Sequence, residues 1–172
     1  MLSHSNGTIN DDPLEVLVFI GLSWRHSCLE VPLYAQKDTQ MPTNIEIVQD
    51  CFAAFQRGDI PAILNMFDDN VERIEPGAPV IPWAGPGKGK ASAAEFFGVM
   101  GETTDVLKFE PHQYVASGDR VVAVGSWDIR VKATGKSAST DWALDFTLQN
   151  GKVTRFQAYL DTAALQAAYT AR

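Results

Sequence analysis

The stretch GDIPAILNMFDDNVERIEPGAPV, residues 58–80, contains the strongest indication of the fold. Its first glycine ends one helix, and Asp59 can cap a second helix whose apolar stripe continues to Phe67. Residues 71–75 then have the pattern of a strand, which the following Pro-Gly pair would end. The stretch therefore predicts a helix end, a short helix and a strand whose last residue is the acidic Glu75.

The flanking sequence supplies the remaining predicted elements. A capping box at Thr43 and Glu46 predicts the first helix, and a second box at Ser92 and Glu95 predicts the third. The Pro- and Gly-rich residues 76–90 predict a loop. Further strands are predicted at 107–116, 120–132, 142–149 and 152–160, with a small-residue connection at 133–140 and a short helix at 162–169. This order predicts an α+β domain with helices on one face of a curved, mainly antiparallel sheet.

Composition limits the classes of function. A chain of 172 residues with 45% hydrophobic residues can form one domain with a sizeable core. Its net charge of −7 argues against a nucleic-acid partner. Its two cysteines give neither a disulfide framework nor a metal-binding spacing, so we expect a reducing, cytoplasmic environment.

The first forty residues differ from the rest. Residues 14–22 are mostly apolar, but they are fewer than the ~20 needed to span a bilayer. Acidic rather than basic residues precede them, which argues against a secretory signal. Because Met41 stands just before the first helix, we predict that it is the native start. We interpret 41–172 as the domain and 1–40 as an appended, disordered arm or a wrongly assigned upstream extension. The alternative is an extra element that docks on the domain. We expect no membrane partner.

The dipeptide Asn150-Gly151 predicts a two-residue hairpin turn, and this turn sets the register of the last two strands. The register places Trp142 opposite Tyr159. One face then carries Trp142, Leu144, Phe146, Leu148, Val153, Gln157, Tyr159 and Asp161, and the other carries Ala143, Asp145, Thr147, Thr154, Phe156, Ala158 and Leu160. The first face has more aromatic side chains, so we predict that it lines an apolar pocket with Asp161 at the rim.

The segment 58–80 resembles the start of the cone-shaped domains of the nuclear transport factor two-like superfamily. This group includes ketosteroid isomerases, SnoaL-like polyketide cyclases, limonene epoxide hydrolases and non-catalytic binding modules. The resemblance covers roughly residues 43–169. It implies a ligand pocket between helices and sheet, and dimerisation through the open sheet. We therefore expect a homodimer that uses the face with Phe156 and Leu160.

Two carboxylates are candidate acid–base groups. Asp161 resembles the Asp that ends the last strand of SnoaL-like cyclases, although a helix N-cap explains it equally well. Glu75 resembles the acidic residue of ketosteroid isomerases that removes a proton next to a carbonyl. The alternative interpretation of Glu75 is a solvated carboxylate at the end of a strand. The isomerases' oxyanion donors, a Tyr and a protonated Asp, correspond here to Cys51 and Leu144, so steroid isomerisation is not predicted.

The resulting hypothesis is a cofactor-independent isomerase, cyclase or hydratase that acts on an apolar, carbonyl-bearing molecule. The predicted catalytic residues are Asp161 and Glu75, with Tyr159 as a hydrogen-bond partner. The predicted ligand contacts are Trp83, Phe97, Trp127, Trp142, Leu144, Phe146 and Phe55. Trp83, in a Pro/Gly loop, would close the pocket mouth or pack at a subunit interface. The alternative is a non-catalytic ligand-binding or interaction module.

Two further polar features are weaker candidates. Asp128 and Arg130 share one strand face and resemble part of the Asp-Arg-Asp relay of limonene epoxide hydrolases, but their order is reversed. A solvated polar face is the favoured interpretation. His112 is the only histidine in the predicted domain, and no second ligand stands at metal-binding spacing. We therefore predict neither a metal nor a cofactor.

Overall fold

The computed structural model describes residues 42–77 and 79–170, so the predictions about 1–40 and the start at Met41 lie outside the described residues. The elements are α1 (Asn44–Gln56), α2 (Ile60–Met66), β1 (Phe67–Glu75), β2 (Gly85–Lys88), α3 (Gly89–Thr103), β3 (Thr104–Ser117), β4 (Arg120–Val131), β5 (Ser137–Gln149), β6 (Lys152–Leu160) and α4 (Thr162–Tyr169). The strands form one sheet in the order β2-β1-β6-β5-β4-β3, antiparallel except for the β1–β6 pair. The predicted α+β class, with helices packed on a curved sheet, is confirmed.

Local capping sets the start of the first two helices. Both hydrogen bonds of the predicted capping box form between Thr43 and Glu46 at the start of α1. Asp59 caps α2 by accepting a hydrogen bond from the backbone N–H of Ala62 at 3.1 Å. The predicted box at Ser92 is wrong, because α3 already begins at Gly89 without a side-chain cap. The chain enters α3 directly from β2, so the sheet sets this boundary.

Two segments predicted as connections contain strand. Residues 85–88, predicted as loop, form β2 by pairing with the end of β1. The predicted connection at 133–140 is shorter than expected, since β5 begins at Ser137 and pairs with Arg130 on β4. Small residues have a weak intrinsic preference for strands. In both segments, hydrogen bonding to the neighbouring strand stabilises the extended conformation despite that weak preference.

The last hairpin turns where predicted and then departs from the predicted register. Asn150 and Gly151 have φ of 51° and 74°, as a type I′ turn requires. Thr154 is an extra residue in β6 and forms a β-bulge. Beyond the bulge, Trp142 pairs with Leu160 and not with Tyr159, so this part of the prediction is wrong.

The bulge exchanges the two faces of β6. Phe156 and Leu160 turn inward, whereas Tyr159 is 51% exposed on the outer face. The bulge stabilises the fold by burying Phe156, whose ring lies 6.2 Å from that of Phe146 and 5.5 Å from that of Phe67. The predicted dimer face with Phe156 and Leu160 therefore belongs to the interior, and this assignment is wrong.

Helices α1, α2 and α3 cover the inner face of the sheet, and the apolar core lies between the two layers. The elements that position the site are the end of β1 and the inward-facing residues of β4, β5 and β6. Within 42–77 and 79–170, no helix is both long and apolar enough to cross a membrane.

Candidate active site

An apolar cavity of about 90 Å³ lies between the helices and the inner face of the sheet. Aromatic and aliphatic side chains form nearly all of its wall, and Glu75 is the one carboxylic acid among the described residues that line it. The seven predicted ligand contacts all line this cavity, namely Phe55, Trp83, Phe97, Trp127, Trp142, Leu144 and Phe146. Their contact with a ligand stays a prediction.

Glu75 is the last residue of β1 and is only 7% exposed. It pairs with Gly85 of β2, which fixes its backbone at the cavity. Burial raises the pKa of Glu75 from 4.5 to about 8, and the positive charge of Arg73 opposes part of that rise. The side chain is therefore mostly protonated at neutral pH, and it exchanges its proton near the pH at which a cell operates.

Arg73 lies two residues before Glu75 on the same inward face and is 7% exposed. Its Nη1 donates to the carbonyl oxygens of Trp83 at 3.3 Å and Gly85 at 3.2 Å, and its guanidinium lies 4.5 Å from the ring centre of Phe96. Burial lowers the pKa of Arg73, and nearby Glu75 opposes this shift. The sequence analysis missed this residue, although its two-residue spacing from Glu75 was a usable signal.

Cys51 of α1 also lines the cavity. Burial raises the pKa of its thiol to about 12, and the charge of Asp50 adds to this rise. Its Sγ contacts the Sδ of Met66 at 3.7 Å. The thiol therefore stays uncharged at neutral pH.

Trp83 and Trp127 place two indole rings in the cavity wall, 6.1 Å apart between centroids. The Nε1 of Trp83 donates to the hydroxyl of Tyr169 at 2.7 Å, and the Nε1 of Trp127 donates to the hydroxyl of Thr140 at 2.9 Å. Trp83 is buried within the single chain, so its ring is not exposed to pack at a subunit interface, which was one of its two predicted roles.

Asp161 and Tyr159 do not face the cavity, and their predicted placement there is wrong. Asp161 is exposed and caps α4, since its carboxylate accepts hydrogen bonds from the backbone N–H of Ala163 at 2.9 Å and of Ala164 at 3.1 Å. Tyr159 points to the outer face of the sheet. The bulge in β6 is the physical reason for both corrections. A signal was present in the sequence, because the apolar residues at 153, 156, 158 and 160 change from odd to even positions.

The residues that resemble an epoxide hydrolase relay also lie outside the cavity. Arg130 donates to Asp105 at 2.9 Å, and Asp128 accepts from Ser139 at 2.5 Å. His112 is exposed on β3. Across the described part of the chain, no group of three His, Cys, Asp or Glu side chains is placed to hold a metal ion.

Comparison with known proteins gives the same fold. The family model of the SnoaL-like domain matches residues 48–156. An NTF2-like protein from Burkholderia xenovorans is 37% identical with a TM-score of 0.68, over 74% of this chain and 95% of that one. An NTF2-like protein from Burkholderia thailandensis is 27% identical with a TM-score of 0.70, over 76% of this chain and 100% of that one.

A third similar structure is TerC, co-crystallised with polyporic acid. It is 27% identical with a TM-score of 0.67, over 73% of this chain and 97% of that one. No protein in the curated set of sequences matches. The match over residues 48–156, together with the helices on a curved sheet, confirms the resemblance drawn from residues 58–80. The chain belongs to the SnoaL-like domain family and has the NTF2-like fold.

Proposed function

We propose that this protein binds a small, largely apolar molecule that carries a carbonyl group, and that Glu75 moves a proton at the carbon next to that carbonyl. The observation that carries the proposal is that Glu75, a buried carboxylic acid, lies in a cavity lined by aromatic side chains. A desolvated carboxylate with a pKa of about 8 is a stronger base than an exposed one, and its acid form is a ready proton donor.

The proposed step needs no cofactor. The ionised Glu75 takes a proton from the carbon next to the carbonyl, and the electron pair of the C–H bond moves to give an enolate. The Glu75 acid then returns that proton to the same or another carbon of the enolate, so protons and electrons balance. Arg73 supports the step, because its positive charge favours the ionised form of Glu75 against the effect of burial.

The cavity favours a small ligand. An engineered apolar cavity of about 150 Å³ holds benzene, so about 90 Å³ requires some movement of the wall even for one ring. Four residues of the wall also line an open groove at the surface, namely Phe55, Phe97, Met100 and Phe109. We propose that the ligand enters between them. The similar TerC structure, co-crystallised with polyporic acid, supports ligand binding by this fold.

The test uses cyclohexanone as the probe and follows deuterium incorporation next to its carbonyl in D2O by NMR. We expect the protein to accelerate exchange and Glu75→Gln to reduce that acceleration by at least about 100-fold, the usual contribution of a general base. Asp161→Asn is the matched control and should keep the full rate, because Asn also caps a helix. Unchanged exchange in Glu75→Gln would exclude Glu75 as the base.

A non-catalytic ligand-binding module is the second candidate. One observation favours it: Glu75 and Cys51 are the titratable side chains among the described residues that line the cavity, and the Cys51 thiol is uncharged, so Glu75 has no second acid–base group beside it. If cyclohexanone binds in the cavity and exchanges no faster than in buffer, this second function replaces the first.

We also propose a homodimer, now through the outer face of the sheet. Val124, Ala143 and Tyr159 stand side by side on β4, β5 and β6, and the side chains of Val124 and Tyr159 are well exposed. A second copy of the chain would cover this row. Tyr159→Asp should then give a monomer in analytical sedimentation, and a wild-type chain that is monomeric at high concentration would exclude the dimer.

A further inference from the structure

Trp142 differs from the other two described tryptophans in the state of its indole N–H. The Nε1 atoms of Trp83 and Trp127 each donate to a hydroxyl group. The Nε1 of Trp142 is buried and has no hydrogen-bond partner among the described residues. A buried donor without a partner is costly, and such a group in a folded protein calls for an explanation. Trp142 lines the cavity, and its buried Nε1 becomes reachable when the wall moves to admit a ligand, which can then supply the missing acceptor.

The indole of Trp142 is held in place on several sides. Its ring stacks on that of Phe109 with 4.9 Å between centroids and an angle of 9°, and it meets the ring of Phe52 edge-on at 5.6 Å. Its six-membered ring rests over Gly125, the residue opposite it on β4. A Cβ at Gly125 would overlap Cζ2 of Trp142, so only glycine leaves room for the ring there. The indole is therefore fixed and cannot turn to find another partner.

We propose that the N–H of Trp142 donates a hydrogen bond to the carbonyl oxygen of the bound ligand. This inference rests on the proposed function and makes it more specific, because it names the protein group that recognises the oxygen. Glu75 on β1 and Trp142 on β5 are separated by the single strand β6, so the two strands that carry them lie about 10 Å apart across the sheet. Both side chains line the same cavity, one as proton carrier and the other as donor to the oxygen. The donor also stabilises the negative charge that develops on that oxygen when the enolate forms.

The ligand class follows from these two groups. A molecule with a carbonyl oxygen is preferred over a hydrocarbon of the same shape, since only the former satisfies the indole N–H. Cyclohexanone and methylenecyclohexane are a matched pair of similar shape. They differ only in that the carbonyl oxygen of the first is replaced by a CH2 group in the second. Their binding is compared at pH 6, where Glu75 is protonated and contributes equally to both titrations.

The first measurement uses the indole N–H signals of the ¹⁵N-labelled wild-type protein. We expect cyclohexanone to move the Trp142 indole proton downfield, as a new hydrogen bond does. The signals of Trp83 and Trp127 serve as internal controls and should move little, because their N–H groups already have partners. Methylenecyclohexane should not produce the downfield shift. Loss of one signal in Trp142→Phe assigns the resonance, and sequential side-chain experiments assign it if that variant does not fold.

The second measurement is affinity. Trp142→Phe should weaken cyclohexanone binding by about three- to tenfold, the loss of one hydrogen bond, and leave methylenecyclohexane binding nearly unchanged. Trp127→Phe is the control and should not change the preference between the two compounds, because its N–H is bonded to Thr140.

The outcomes separate this inference from the function on which it rests. If both compounds bind in the cavity but the Trp142 indole signal does not move downfield, the hydrogen bond is excluded and the binding function stands. An equal loss of affinity for both compounds in Trp142→Phe means that the ring contributes packing alone, which also overturns the inference. If neither compound perturbs any cavity signal of the wild-type protein, the proposed function itself fails.

Discussion

The ends of β1 and β6 offer a direct comparison, because a candidate acid lies at each. Glu75 is the last residue of β1, and Asp161 directly follows β6. Glu75 at the end of β1 is 7% exposed and lines the apolar cavity. Asp161 just after β6 is exposed, and its carboxylate accepts two backbone hydrogen bonds at the start of α4. The two groups have the same chemistry and a similar place in the chain, and they end in opposite environments.

The difference teaches that the environment of a carboxylate, and not its position at a strand end, decides its chemical use. Removal from water destabilises the charged form of Glu75 and raises its pKa to about 8. Asp161 remains in contact with solvent and holds the first turn of a helix. The bulge at Thr154 accounts for the placement of Asp161, because it moves every later residue of β6 to the opposite face.

The largest expected effect is on stability. The folded-state pKa of Glu75 lies above its unfolded value, so its stabilising contribution is complete below pH 4.5 and is lost as the pH rises to about 8. The free energy of unfolding of the wild type, relative to Glu75→Gln, should therefore fall by about 4 kcal/mol between pH 5 and pH 8.5. Urea unfolding at a series of pH values measures this. Parallel curves for the wild type and Glu75→Gln would show that Glu75 is not desolvated.

The next effect concerns the pH dependence of proton exchange. If Glu75 is the base, its ionised fraction rises from about 1% at pH 6 to about half at pH 8, so the protein-dependent exchange rate of cyclohexanone should increase about fiftyfold. A flat profile would show that Glu75 is not the base. The rates are corrected for the exchange that the buffer alone produces.

A smaller effect on stability is expected for substitutions of Asp161. Asp161→Ala removes the cap of α4 and should lower the free energy of unfolding by about 1 kcal/mol, whereas Asp161→Asn should cost little. Chemical unfolding of the two variants measures the difference. Neither change should alter proton exchange at cyclohexanone, and a loss of exchange in Asp161→Asn with normal stability would reverse the roles assigned to the two residues.

The smallest effect is a shift in titration. Arg73→Gln removes the positive charge that favours ionised Glu75, so the pKa of Glu75 should rise further. Titration of the ¹³C-labelled Glu75 carboxyl group by NMR reports this directly. Arg73→Lys keeps the charge and serves as the matched variant, and a lower pKa in Arg73→Gln would contradict the electrostatic argument.

Most of the fold could be predicted from local patterns, and the candidate site only in part. The apolar spacing indicated all four helices, the caps located the starts of α1, α2 and α4, and the meander of strands indicated the sheet. The cavity-lining side chains on β5 could be identified because this strand has no bulge and alternates regularly up to Trp142. The inward face of β6 could not be deduced from the turn, since a single extra residue reverses it.

The sequence by itself determined the features that depend on a few neighbouring residues. These are the capping box at Thr43, the cap at Asp59, the turn at Asn150-Gly151, and Glu75 at the end of a strand. Each follows from backbone conformation and hydrogen bonds within about four residues of the chain, so the local pattern is sufficient.

Only the tertiary structure decided which groups share the cavity. The bulge in β6 depends on the burial of Phe156 against Phe67 and Phe146, which come from other strands. The pKa of Glu75 depends on the aromatic wall that several elements build around it. Burial and desolvation arise from contacts between distant parts of the chain, so a cap or a turn motif does not specify them.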